Sequence, residues 1–375
     1  MEEKQTVASA AAQDTAGDLI WLCSCAVNGI VPDQARIEKL DLASVYRLAE
    51  RHMLTAVAAY ALKSTGIRDT AFVQAAAKAM RKMAVMDAEQ EIILERLERS
   101  GIRYMPLKGA ILKDLYPAYG IRQMSDHDIL IDQERVEDVR RIMTELDYTV
   151  EKYNEDYHDC YYKPPVSNFE MHRRLVSPMN GETVYSYYLN VDRLLRKDPG
   201  NTYGYHFSDE DFYVFLVVHE HKHYSERGTG LRSLLDTYVY LKNKNLDMGY
   251  VEEELDKLGI AGHEREIRSL VLKLFNGEAL IGEEKKMLNY ILSCGTYGRE
   301  ENHTLNQLAE KGRKRYFLSR LTLPYARMVE MYPVLEKVPV LYPFCWIHRL
   351  VHAFLFKNKK VMYQLKAGLT WKEDK

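Results

Sequence analysis

The chain has 375 residues, 46% of them hydrophobic and 28% charged, which is enough for two or three domains with ordinary cores and excludes a disordered protein. A formal net charge of −2 gives no strong nucleic-acid signal, so small molecules are the default partners. Five cysteines scattered from Cys23 to Cys345 suit a reducing compartment better than a disulfide framework. The opening Met1-Glu2-Glu3-Lys4-Gln5 lacks the basic start and apolar run of a secretory signal, and residues 1–16 are expected to be a flexible tail. Residues 17–100 form an N-terminal helical region, with apolar positions at three-and-four spacing in Leu42, Val45, Tyr46 and Ala49 and again from Phe72 to Leu97, closed by Gly101.

The texture changes at Arg103. Residues 101–180 are the one strand-rich block, with strands expected at Arg103–Leu107, Asp126–Ile131, Tyr148–Tyr153, Asp159–Lys163 and Asn168–His172, and helices at Ala110–Tyr116 and Gln133–Leu146. From 181 to 375 the pattern is helical again, with helices expected at 208–224, 230–243, 250–258, 262–275, 284–293, 313–330 and 344–366. The fold class is therefore α+β and mostly helical, a small mixed-sheet core flanked by N- and C-terminal helical domains. The apolar stretch Val338–Phe356 is broken by Pro339, Pro343, His348, Arg349 and His352, so no transmembrane segment is expected and a cytoplasmic location follows; core packing is the simpler use of its aromatic residues.

Ser125-Asp126-His127-Asp128-Ile129-Leu130-Ile131 carries the chemistry. Alternate strand side chains share a face, so Asp126 and Asp128 lie together on an otherwise apolar strand, a place to hold a divalent cation, while His127 points the other way. Upstream, Gly109 sits where a strand should turn into a helix, letting backbone amides approach an anion, and Lys108 adds a charge beside it. Glu170, in the strand Asn168–His172, is the candidate third acid.

Leu107-Lys108-Gly109-Ala110, Leu115-Tyr116-Pro117, Arg122 and the Asp126–Ile131 strand resemble the uncharacterised bacterial nucleotidyltransferase family of the polymerase-beta-like superfamily. Glu170-Met171-His172 resembles the acid-x-His strand of that family. His219, Lys222-His223, Leu231-Arg232 and Leu235-Asp236 resemble its helical segment, and Tyr332-Pro333, Leu341-Tyr342-Pro343, Trp346 and Arg349 its C-terminal region. The resemblance implies a nucleotidyltransferase core and the transfer of a nucleoside monophosphate from a nucleoside triphosphate to an acceptor, a small molecule ahead of a protein. It implies two Mg²⁺ ions, replaceable by Mn²⁺, on Asp126, Asp128 and Glu170, with Glu170 helping to deprotonate the acceptor. Lys108, Gly109, Ala110 and Arg122 would hold phosphate oxygens, Lys222 and His223 would touch nucleotide or acceptor, and His172 and Asp236 would support them. Two departures stand out: the Gly-Ser pair usual in the superfamily is Gly109-Ala110, which leaves the work to backbone amides, and the third acid is Glu rather than Asp.

Other readings compete. His219-Glu220-His221-Lys222-His223 satisfies H-E-x-x-H, which on a helix could build a zinc hydrolase. A catalytically inactive binding or regulatory protein with the same fold is the other alternative. Asp236, among apolar residues, needs a buried partner, for which His223 or Arg232 are the expected choices.

Overall fold

The computed structural model describes residues 2–154, 157–296, 300–323, 325–332, 334–356, 363 and 366. Five helices open the chain: α1 (Glu2–Asn28), α2 (Gln34–Ile37), α3 (Leu42–Arg51), α4 (Thr55–Ser64) and α5 (Thr70–Arg99). Residues 2–16, expected as a tail, are thus the first turns of α1. Asp33, Asp41 and Asp69 start α2, α3 and α5 by accepting free amides of the first turn. α5 stops where the Ser100 and Gly101 amides fold back onto the Arg96 and Glu98 carbonyls, Gly101 taking the left-handed φ of 66° that the turn requires.

The sheet follows, from β1 (Tyr104–Pro106), α6 (Gly109–Leu112), β2 (His127–Ile131), α7 (Val136–Glu145), β3 (Thr149–Lys152), β4 (His158–Lys163) and β5 (Ser167–His172). Its order is β1-β2-β5-β4-β3, with β2 and β5 parallel and every other pair antiparallel. Alternation splits the side chains between two layers. Ile129, Ile131, Tyr161, Phe169 and Met171 pack on Ile93 and Leu97 of α5 and on Val139, Ile142 and Met143 of α7. Leu130, on the opposite face, joins Met105, Leu107 and a second core.

That second core is built by α8 (Glu182–Leu189), α9 (Asp209–Glu226), α10 (Leu231–Asn243), α11 (Met248–Lys257) and α12 (Ala261–Asn276), with a small hairpin, β6 (Arg196–Lys197) and β7 (Tyr205–His206), that the sequence pattern did not announce. α13 (Gly282–Cys294) ends the first compact unit, which comprises residues 1–222 and 230–296. Contacts therefore join the N-terminal helices, the sheet and the helices up to 296, whereas sequence texture divides the chain at 100 and 180. The fold is α+β and mostly helical.

The second unit, residues 223–229 and 297–375, contains α14 (Glu300–Leu321), α15 (Tyr325–Met331), α16 (Val334–Lys337) and α17 (Tyr342–Phe356). The helix expected over 313–330 is two helices here, and Pro333 and part of the helix expected over 344–366 lie outside the described residues. Within this unit Trp346 Nε1 donates to the Leu321 carbonyl at 2.7 Å. Phe344, Ile347, Val351 and Leu355 of α17 are exposed, so core packing does not account for that stripe. Among the described residues no helix is long and apolar enough to cross a membrane.

Candidate active site

Parallel pairing of β2 with β5 sets Asp128 directly beside Glu170, and the next antiparallel pairing sets His158 of β4 beside His172. All four share the sheet face turned away from α5 and α7. Asp126 lies one residue before β2. Asp128 Oδ1 accepts from Lys108 Nζ at 2.8 Å and sits 2.7 Å from His172 Nε2, while Glu170 Oε2 is 3.5 Å from His172 Nε2 and 3.7 Å from His158 Nε2.

Electrostatics sort the three acids. Burial alone would raise the Asp128 carboxyl, but Lys108 and His172 hold it well below the usual carboxylate range. Glu170 is likewise lowered, because its contact with His172 and the nearness of His158 outweigh burial and the Asp128 charge. Asp126 goes the other way: burial and the charges of Asp128 and Glu170 raise it. Lys108 is raised despite burial, since all three carboxylates favour its charged form. The negative field left at Asp126 is what a hard divalent cation would neutralise, and three carboxylates are the donor set Mg²⁺ accepts. The residues present therefore fit that ion.

Several phosphate-cradle expectations need correction. Lys108, not Gly109, has the unusual backbone, with φ 45° just before α6. A Cβ on Gly109 would lie 2.4 Å from Met124 Cε and 2.7 Å from Arg122 Nη1, so this glycine is required for close side-chain packing and not for an open approach to its Cα. The Ala110 amide, expected to bind phosphate, already donates to the Leu107 carbonyl at 3.1 Å.

Arg122 is not available either. Its Nε and Nη2 form a buried fork on Asp236 at 2.7 and 2.8 Å, and Tyr116 Oη donates to the same carboxylate at 2.8 Å. Asp236 thus has Arg122 and Tyr116 for partners instead of His223 or Arg232, and Arg232 donates to the Gln123 carbonyl at 3.0 Å. These groups fix the loop between α6 and β2.

Of the helical residues, Lys222 reaches the site's border: its Nζ is 3.2 Å from Tyr157 Oη, and the Tyr157 ring packs against His158 and His172 with centroids at 4.7 and 5.5 Å. His223 is exposed and falls in the second compact unit. Glu220 of the H-E-x-x-H motif is buried with Oε2 2.6 Å from His263 Nε2, which commits the residue a zinc hydrolase would need as its base. His127 faces away from the acids as expected, with Nδ1 2.7 Å from Gln90 Oε1 and its ring edge-on to Phe169.

Two residues escaped the sequence pattern. His158 enters only through strand register. Lys82 of α5 donates to the Ser125 carbonyl at 2.8 Å beside Asp126, and only the distance of α5 along the chain hid it. A cavity of about 460 Å³ is lined by Leu130, Arg103, Arg174, Tyr188 and Tyr205 among others.

Residues 38–276 match the model of a family described as uncharacterised nucleotidyltransferase. The chain belongs to that family. The match spans the helices from α3 to α12 and the whole acid-bearing sheet, so nucleotidyl transfer is the chemistry against which the family's site is to be read. No curated protein and no solved structure matches the chain.

Proposed function

We propose that this nucleotidyltransferase moves a nucleoside monophosphate from a nucleoside triphosphate to an acceptor hydroxyl, with a small molecule as acceptor, in the cytoplasm. The observation that carries the reading is the cluster of Asp128 and Glu170 on adjoining strand positions with Asp126 just ahead of β2, and with Lys108 reaching into it. Mg²⁺ bound by the three acids would supply charge neutralisation at the triphosphate oxygens.

The chain's own groups do the rest. Lys108 offers an ammonium at the mouth of the β1–α6 turn, and among the described hydrogen bonds none uses the Gly109 amide, which leaves it for a phosphate oxygen. Lys82 adds a second cation beside Asp126. Glu170 takes the acceptor proton as the acceptor oxygen bonds to the α-phosphorus and the bond to pyrophosphate breaks. His172, between Asp128 and Glu170, keeps both carboxylates ionised for that role. Five free cysteines, Cys23, Cys25, Cys160, Cys294 and Cys345, support a reducing compartment.

Calorimetric titration of the four nucleoside triphosphates with Mg²⁺ tests the reading. At least one should bind, and Asp126→Ala with Asp128→Ala should abolish that binding. Asp126→Asn is the cleaner single variant, because Asp128 also anchors Lys108 and His172. Failure of every triphosphate to bind, or equal binding by the variants, removes the proposal.

A further inference from the structure

We infer that His158, Glu170 and His172 form a nitrogen-rich site for one divalent transition ion, distinct in metal preference from the carboxylate pair beside it. Each residue offers one ligand atom, and these atoms all lie within 4.8 Å of one another. Bonds of about 2.1 Å to a common ion span up to about 4.2 Å across it, and Glu170 Oε2 already lies within that span of both imidazoles, at 3.7 Å from His158 Nε2 and 3.5 Å from His172 Nε2. The sheet builds the arrangement. His158 is the direct β4 neighbour of His172, and their rings stack with centroids 5.1 Å apart at 28°. The His172 side chain is 1% exposed, and its other ring nitrogen, Nδ1, has no hydrogen-bond partner, so the ring's polar contacts are all with Asp128 and Glu170 at this site.

The donor set decides the ion. Two imidazoles and one carboxylate suit Zn²⁺ or its probe Co²⁺, whereas Mg²⁺ takes oxygen ligands and holds its water tightly. Asp128 Oδ1, 2.7 Å from His172 Nε2, is placed to become a fourth donor. Glu170 belongs to both sites, so the inference deepens the proposed transfer reading at that one position. It specifies a transition ion where an all-carboxylate centre would take Mg²⁺.

The full-length protein, stripped with chelator, is titrated with Co²⁺ and followed by its visible d–d absorption, with Mg²⁺ as competitor. One equivalent should bind and should survive a hundredfold excess of Mg²⁺ (about 2.7 kcal/mol of selectivity). His158→Ala should weaken Co²⁺ by at least about tenfold, the smaller end of what even an indirect metal partner contributes. His158→Gln, which keeps the side-chain volume, repeats the test should the alanine variant unfold. Asp126→Asn should lose triphosphate binding and keep Co²⁺. Absence of a Co²⁺ spectrum in the wild type, displacement by Mg²⁺, or unchanged affinity in the folded His158 variant overturns the inference. If Asp126→Asn loses Co²⁺ as well, the ion sits on the carboxylates, and the inference falls while the transfer reading stands. If no triphosphate binds but Co²⁺ does, the transfer reading falls alone.

Discussion

Asp236 accepts three hydrogen bonds from two buried partners, and a carboxylate so enclosed is tolerable only because the Arg122 fork supplies both charge and geometry. Asp236→Ala should leave the guanidinium buried and unpaired and cost about 3–5 kcal/mol, read from urea denaturation. A loss under about 1 kcal/mol, the scale of an exposed pair, would refute the buried fork. Gly109 belongs to the same assembly, with Met124 filling the space a Cβ would need. Gly109→Ala should cost about 1–3 kcal/mol through overpacking, and Met124→Ala in the same chain should recover part of it. Strict additivity of the two changes would show that they do not meet. Residue types in this loop were visible in the sequence, but their partners were not: Arg122 and Asp236 are 114 positions apart, and no local pattern chooses Asp236 over any other carboxylate.

Elements meet through polar groups whose protonation matters. His52 closes α3, and its Nδ1 accepts the Leu231 amide at the start of α10 at 3.1 Å. Burial, aided by Arg51, lowers its pKa to about 4, against 6.5 when free. The unfolded chain therefore binds this proton first: the stability it contributes is complete above pH 6.5 and is lost as pH falls through about 4. Urea midpoints measured from pH 7.5 to 4.5 should fall toward acid. His52→Gln, which keeps an acceptor without titrating, should flatten the slope by up to about 1.4 kcal/mol per pH unit. Identical slopes would exclude His52 as the source. At this scale much was legible from the chain alone. Apolar spacing located α9 to α13 within a few residues, and alternation placed Asp128 and Glu170 on one face of the sheet, whereas Asp126, expected on the strand, lies just before it. Register was not legible, because nothing within β4 states that it pairs with β5, and that pairing alone brings His158 to Glu170.

The whole molecule divides later than its texture does. Every acid, both layers of core around the sheet and the helices that cover them come from residues up to 296. The family match ends earlier, at 276, but α13 buries Met287, Ile291 and Cys294 beyond that point. Thr296 then donates its amide to the Arg51 carbonyl at 3.1 Å, and its Cα lies 2.8 Å from where a Cβ on Gly230 would be. The chain is thus pinned at 296, at the α3 end that also carries His52. A fragment of residues 1–296 should melt cooperatively and bind the same triphosphate as the full chain, within about threefold, or about 0.7 kcal/mol. A fragment of residues 1–276 keeps the whole matched region but loses the three buried side chains of α13 and the Thr296 anchor. At about 1.5 kcal/mol or more for each large apolar side chain returned to water, it should unfold several degrees earlier. Circular dichroism melts of the two fragments with calorimetry of the longer one decide it. Equal melting temperatures would mean that α13 is not part of the cooperative unit, and lost binding in residues 1–296 would place essential site residues in the C-terminal unit.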